Sequence, residues 1–77
     1  MKYELLETVV LERDLPDHGL RRGDLGTVVE LYPPHGLEVE FVTALGKAKA
    51  LLTLTDVDVR PASDDDLIAV RRFDHSK

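Results

Sequence analysis

The clearest pattern in the chain is the alternation Leu37-Glu38-Val39-Glu40-Phe41. Apolar side chains at every second position mark a strand with one face in a core and the other in water, because successive side chains of a strand point to opposite faces. A strand is therefore expected over residues 37–43. A second is expected over residues 48–54, where Ala48, Ala50, Leu52 and Leu54 alternate with Lys49, Leu51 and Thr53. Ala44-Leu45-Gly46-Lys47 turns one into the other, so the two should pair as a hairpin, with Glu38 or Glu40 opposite Lys47 or Lys49.

Upstream, residues 5–11 read as a strand in which Val9 and Leu11 share a face with Leu5, while Leu6, Thr8 and Val10 share the other. Residues 26–32 place Val28 on one face and Val29 with Leu31 on the other, as a sharply bent strand requires, and Gly26 should mark the bend. Pro33-Pro34-His35-Gly36 follows as a hairpin connection, since proline donates no ladder hydrogen bond. Residues 12–24 form a long loop with turn chemistry at both ends, which Leu15 and Leu20 should pin to the core.

Thr55-Asp56-Val57-Asp58 is expected to make a single helical turn, capped by the Thr55 hydroxyl, ahead of a short strand Val59-Arg60 stopped by Pro61. Residues 63–72 support two readings. The order Ser63-Asp64-Asp65-Asp66, then apolar residues, then Arg71-Arg72 suits a helix with acids first and bases last. Leu67-Ile68-Ala69-Val70 equally suits a strand covering an edge of a small barrel, and that need for cover favours the strand. Short strands broken by tight turns point to a mostly β domain of five to six strands closed as a small barrel, with the helical turn before the last barrel strand. It should span residues 1–73, Phe73 docking and residues 74–77 fraying.

Composition narrows the role. The 77 residues leave no room for a second domain, and a single core of this size is marginally self-sufficient. With no cysteine there are no disulfides, thiolate metal sites or thiol nucleophiles, which fits a reducing, cytoplasmic setting. The start lacks a basic flank followed by an apolar run, and no stretch approaches the roughly 20 apolar residues of a membrane span, so no membrane association is expected. A net charge of −5 opposes a nucleic-acid backbone.

The stretch Arg22-Gly23-Asp24-Leu25-Gly26-Thr27-Val28-Val29-Glu30 is similar to the glycine-punctuated strand of KOW and SH3-like domains. Together with Asp14-Leu15-Pro16, Val39-Glu40-Phe41-Val42, Leu52-Thr53-Leu54 and Asp58-Val59-Arg60-Pro61, it makes the chain resemble a family of short bacterial proteins catalogued only as a domain of unknown function, over residues 4–72. That resemblance implies an SH3-like barrel and brings no catalytic or ligand residues. KOW domains bind nucleic acid or proteins; the acidic balance here departs from the basic ribosomal cases.

Catalytic signatures are missing. His18, His35 and His75 stand in separate loop or tail contexts without a shared metal-ligand spacing. Asp14, Asp17 and His18, or Asp56 and Asp58, match no metal or acid–base motif and are explained by turn capping. No nucleophile elbow or phosphate loop occurs, so neither enzyme chemistry nor a cofactor is expected. Two features point to binding. The loop carries Arg13, Asp14, Asp17, His18, Arg21 and Arg22, a candidate partner-binding set. Leu6, Val10, Val42 and Leu51 add apolar surface to presumed outer faces. The leading expectation is a protein-binding module whose partner is another protein or a second copy of itself. The alternative is a nucleic-acid-associated domain using Arg13, Arg21 and Arg22.

Overall fold

The computed structural model describes residues 1–75. Five strands, β1 (Thr8–Leu11), β2 (Leu25–Tyr32), β3 (Gly36–Val42), β4 (Ala48–Thr55) and β5 (Val59–Pro61), form one antiparallel sheet in the order β4-β3-β2-β1-β5. The alternation around Phe41 sets its inward face. Leu37, Val39 and Phe41 are buried, and Leu54 of β4, Val28 of β2, Val9 and Leu11 of β1 and Val59 of β5 complete the same core.

β4 and β5 lie at opposite edges of the order, yet only Asp56, Val57 and Asp58 separate them in the chain. In a flat sheet, four inter-strand spacings would put those edges about 19 Å apart. The Asp58 N–H donates to the Thr55 carbonyl at 2.9 Å, a turn that holds its ends within about 7 Å. The sheet must therefore curl, which is how side chains from both edge strands reach one cluster. It is not closed: among the described residues no ladder joins β4 to β5, and five strands rather than six are formed.

Several expectations need correction. The Thr55–Asp58 segment is a turn, not a helix, and its capping runs the other way: the Asp58 carboxylate accepts from the Thr55 N–H (2.9 Å) and hydroxyl (3.1 Å). Among the described residues the one helical turn is a 3-10 turn at Pro16–His18, inside the β1–β2 loop. Residues 63–72 are neither helix nor strand. Asp66 hydrogen-bonds back to Ser63, closing a turn, and beyond it the chain runs on without turn or bend. The first strand starts at Thr8, because Leu6 adopts a positive φ of 70° that reverses the chain and leaves Leu5 and Leu6 exposed.

The β2–β3 register shifts between Val28 and Glu30, past the glycine expected to mark the bend. Gly26 serves close approach: a Cβ there would lie 2.5 Å from Val39 Cγ1 and 2.9 Å from Phe41 Cε1. The expected Glu–Lys cross-strand pairs are absent. Glu38 faces Thr53, Glu40 faces Leu51, and Lys49 sits at a register shift with no partner across the ladder. Tyr3, which belongs to no periodic run, is buried, and its hydroxyl donates to the Val59 carbonyl at 3.2 Å. Burial raises the pKa of that hydroxyl.

Candidate binding surface

The loop between β1 and β2 is pinned as its leucines require. Leu15 and Leu20 are buried and bridge each other, enclosing the Pro16–His18 turn, which ends at Gly19 with φ 71°. Glycine is needed there for its backbone angle and because the Phe73 ring and the Asp74 carbonyl leave no space for a side chain.

The candidate loop residues do not form a single charged patch. The Arg13 guanidinium donates to Asp58 at 2.8 Å, and the Asp14 carboxylate accepts from the Arg22 N–H at 2.8 Å. Arg22 lies 3.8 Å from Glu12, and Arg21 lies 3.8 Å from Asp74. Each of the three arginines thus faces a carboxylate. Burial works against ionisation of Asp58, but the Thr55 N–H, the Arg13 guanidinium and the Thr55 hydroxyl outweigh it and lower its pKa. Asp17 and His18 sit apart from these pairs, on the rim of a shallow depression of about 490 Å³ completed by β4 and the C-terminal segment. In that depression Phe73 is half-buried, with the Lys49 ammonium 5.1 Å above its ring and the His75 ring edge-on at 5.1 Å. His18 and His35 occupy different turns, and no group of three or more His, Asp or Glu residues among the described residues could hold a metal ion. No helix of the structure is long and apolar enough to cross a membrane. Of the tail expected to fray, Ser76 and Lys77 lie outside the described residues.

The more distinctive surface was not among the candidate residues. After β5 the chain turns at residues 63–66 and crosses the outward face of the sheet as a strap, residues 66–71, tied at both ends by arginine–aspartate pairs. At its start Asp66 accepts two hydrogen bonds from Arg60 of β5, at 2.8 and 2.9 Å, and one from the Ser63 N–H at 2.7 Å. The Arg60 guanidinium first, and then the Ser63 N–H, hold the Asp66 carboxyl well below the usual carboxylate range. At its end Arg71 donates twice to Asp24, at 2.5 and 3.0 Å, and once to the Gly19 carbonyl at 3.1 Å. Its hydrogen bond to Asp24 raises the Arg71 pKa further.

Between these ties the side chains face water: Leu67 is 93%, Ile68 82% and Val70 89% exposed. Among the described residues, no backbone hydrogen bond reaches residues 67–70. Beside the strap lies a groove of about 650 Å³ floored by outward-facing Val10, Leu25, Thr27 and Val42. Of the residues expected to add outer apolar surface, Leu6, Val42 and Leu51 are exposed, whereas Val10 is buried. One signal in the sequence did point here: acids, four consecutive apolar residues, then bases, over residues 64–72.

No curated protein and no solved structure matches the chain. A family model, Domain of unknown function (DUF4926), matches residues 5–61, which run from just ahead of β1 through the last residue of β5 and exclude the strap. The chain belongs to that family.

Proposed function

We infer that this domain acts by binding a protein rather than by catalysis, on an SH3-like barrel scaffold, and that the strap is its contact surface. The strand order and the tight link between the edge strands support the barrel assignment. The lack of cysteine supports a reducing, cytoplasmic setting of the kind found in bacteria. One observation carries the reading: consecutive Leu67, Ile68, Ala69 and Val70 are exposed with unpaired backbone, while arginine–aspartate pairs fix both ends of the segment. A chain that only needed to be soluble would gain by burying those side chains. Ordering them in advance lowers the entropy cost of association.

The test is a photoreactive amino acid at Ile68 compared with one at Thr53, exposed on β4, each irradiated in native lysate. Covalent adducts with protein at Ile68 and not at Thr53 are expected. No adduct, or equal adducts at both positions, overturns the reading.

A further inference from the structure

We propose that the strap is an inhibitory segment for an endopeptidase that works through an acyl-enzyme, and that it presents the Leu67–Ile68 peptide bond to the peptidase cleft. The inference rests on the strap being a binding surface and names the class of protein that binds it. Residues 67–70 run without turn or bend, so successive side chains point to opposite sides. All four residues are exposed, Leu67 most of all at 93%, and among the described residues no backbone hydrogen bond reaches them. A partner that adds a strand uses one backbone edge, and an apolar groove uses one side. Neither calls for both sides and the backbone to be free at once. An endopeptidase cleft does, because it takes a chain in extended form, hydrogen-bonds its backbone and receives neighbouring side chains in separate pockets. Leu67 suits the main pocket: it branches one carbon further from the backbone than Ile68 and Val70, whose β-branches are stiff and crowd the chain.

The two clamps make the segment an inhibitor rather than a substrate. The peptidase nucleophile attacks the Leu67 carbonyl carbon, the C–N bond to Ile68 breaks, and the nucleophile's proton passes through the peptidase's base to the Ile68 nitrogen. From an ordinary substrate the amine half then departs, and water hydrolyses the acyl-enzyme. Here both halves are tied to the folded chain. Leu67 directly follows Asp66, which Arg60 holds at 2.8 and 2.9 Å. Ile68 lies three residues before Arg71, which is held by Asp24 and by the Gly19 carbonyl, and Phe73 beyond it packs against the core. The Ile68 amine therefore stays beside the acyl-enzyme at high effective concentration. It attacks the acyl carbon, reforms the C–N bond and returns the proton to the nucleophile, so the cleft stays occupied.

The test uses the full chain and subtilisin, a serine endopeptidase with an apolar main pocket, at neutral pH. Subtilisin's hydrolysis of a chromogenic peptide should be inhibited competitively, and mass spectrometry should show the chain cut slowly and at Leu67–Ile68 alone. Leu67→Asp should weaken inhibition about tenfold or more, whereas Leu67→Met should keep it. Because the site is exposed, urea denaturation of both variants should match wild type, which separates a lost contact from a lost fold. Arg71→Ala frees the amine half and Arg60→Ala the acyl half; each should be cut at the same bond about tenfold faster and lose its inhibition as it is consumed. A cut confined to that bond shows that the sheet of each clamp variant is still folded. Absence of inhibition, a wild-type chain cut quickly or elsewhere, or clamp variants cut no faster than wild type would each overturn the proposal. If Ile68 cross-links in native lysate only to proteins that are not peptidases, the peptidase assignment fails while the strap remains a binding surface.

Discussion

Two regions of this small protein use the same side chains in opposite ways. On the inward face of the sheet, Val9, Leu11, Val28, Leu37 and Val39 have no exposure at all; on the strap, Leu67, Ile68 and Val70 are more than four-fifths exposed. The difference lies in what holds each backbone. The core strands are held by ladder hydrogen bonds and by each other's side chains, so burial and pairing reinforce one another. The strap is held at its two ends by guanidinium–carboxylate pairs, leaving its apolar side chains free of any packing role. Apolar residue type thus does not decide burial; the partner that fixes the backbone does. It follows that damage to the core should cost folding, while damage to the clamps should release the strap and leave the sheet intact.

The largest effect should come from Phe41→Ala, which removes a buried ring and leaves a cavity, at a cost of about 3–5 kcal/mol in urea denaturation. The neighbouring Glu40→Ala, on the outward face, should change stability by less than about 0.5 kcal/mol. Equal losses at the two positions would break the two-face assignment. Next, Gly26→Ala should cost about 1–3 kcal/mol by the same measurement, because its new methyl meets Val39 and Phe41. A neutral result would mean that this part of the core is loose.

A smaller and more local effect belongs to the end clamp. The Asp24 and Arg71 side chains are 21% and 28% exposed, and a double-mutant cycle of Asp24→Asn with Arg71→Ala should give a coupling of about 1 kcal/mol. The accompanying amide chemical-shift changes should concentrate in residues 66–73 rather than in β3. A coupling near zero would show that the pair does not hold the strap.

The smallest effect is the pH dependence of the start clamp. Asp66 has a depressed pKa in the folded protein, so in acid the unfolded chain binds more protons and the contribution of the pair falls with pH. The Arg60–Asp66 clamp should be fully formed at every pH above about 4, the ordinary carboxylate range, and should be lost progressively below it. Carboxyl chemical shifts followed through a pH titration measure this; a release midpoint above pH 4 would contradict the bidentate geometry.

Where period two was strict, the sequence was legible. Leu37, Val39 and Phe41 announce their burial through the glutamates between them, and both hairpins follow from the turn residues beside them. Leu15 and Leu20 were also readable, as the apolar residues of an otherwise polar loop. Tyr3 was not, because its burial depends on the chain reversal at Leu6 and on a hydrogen bond to Val59, distant in sequence. The candidate loop set, Arg13, Asp14, Asp17, His18, Arg21 and Arg22, stands out in the sequence by its charge in a long loop. Charge alone does not show that Arg13 reaches Asp58 or that Arg22 stands beside Glu12. Residues 63–72 resist reading from sequence for a related reason. Their pattern permits a helix or a strand, and what decides against both is the pairing of Asp66 with Arg60 and of Arg71 with Asp24, which stretches the segment between two fixed points.

The contrast between core and strap is tested most directly by amide hydrogen exchange, followed residue by residue on the full chain at dilute concentration. At dilute concentration the amides of β3 should be the slowest to exchange, and those of residues 67–70 should exchange at close to the rates of an unstructured chain. Protection of residues 67–70 in the dilute monomer would contradict the account, because it would mean that the strap is part of the folded sheet and not a surface held ready for a partner.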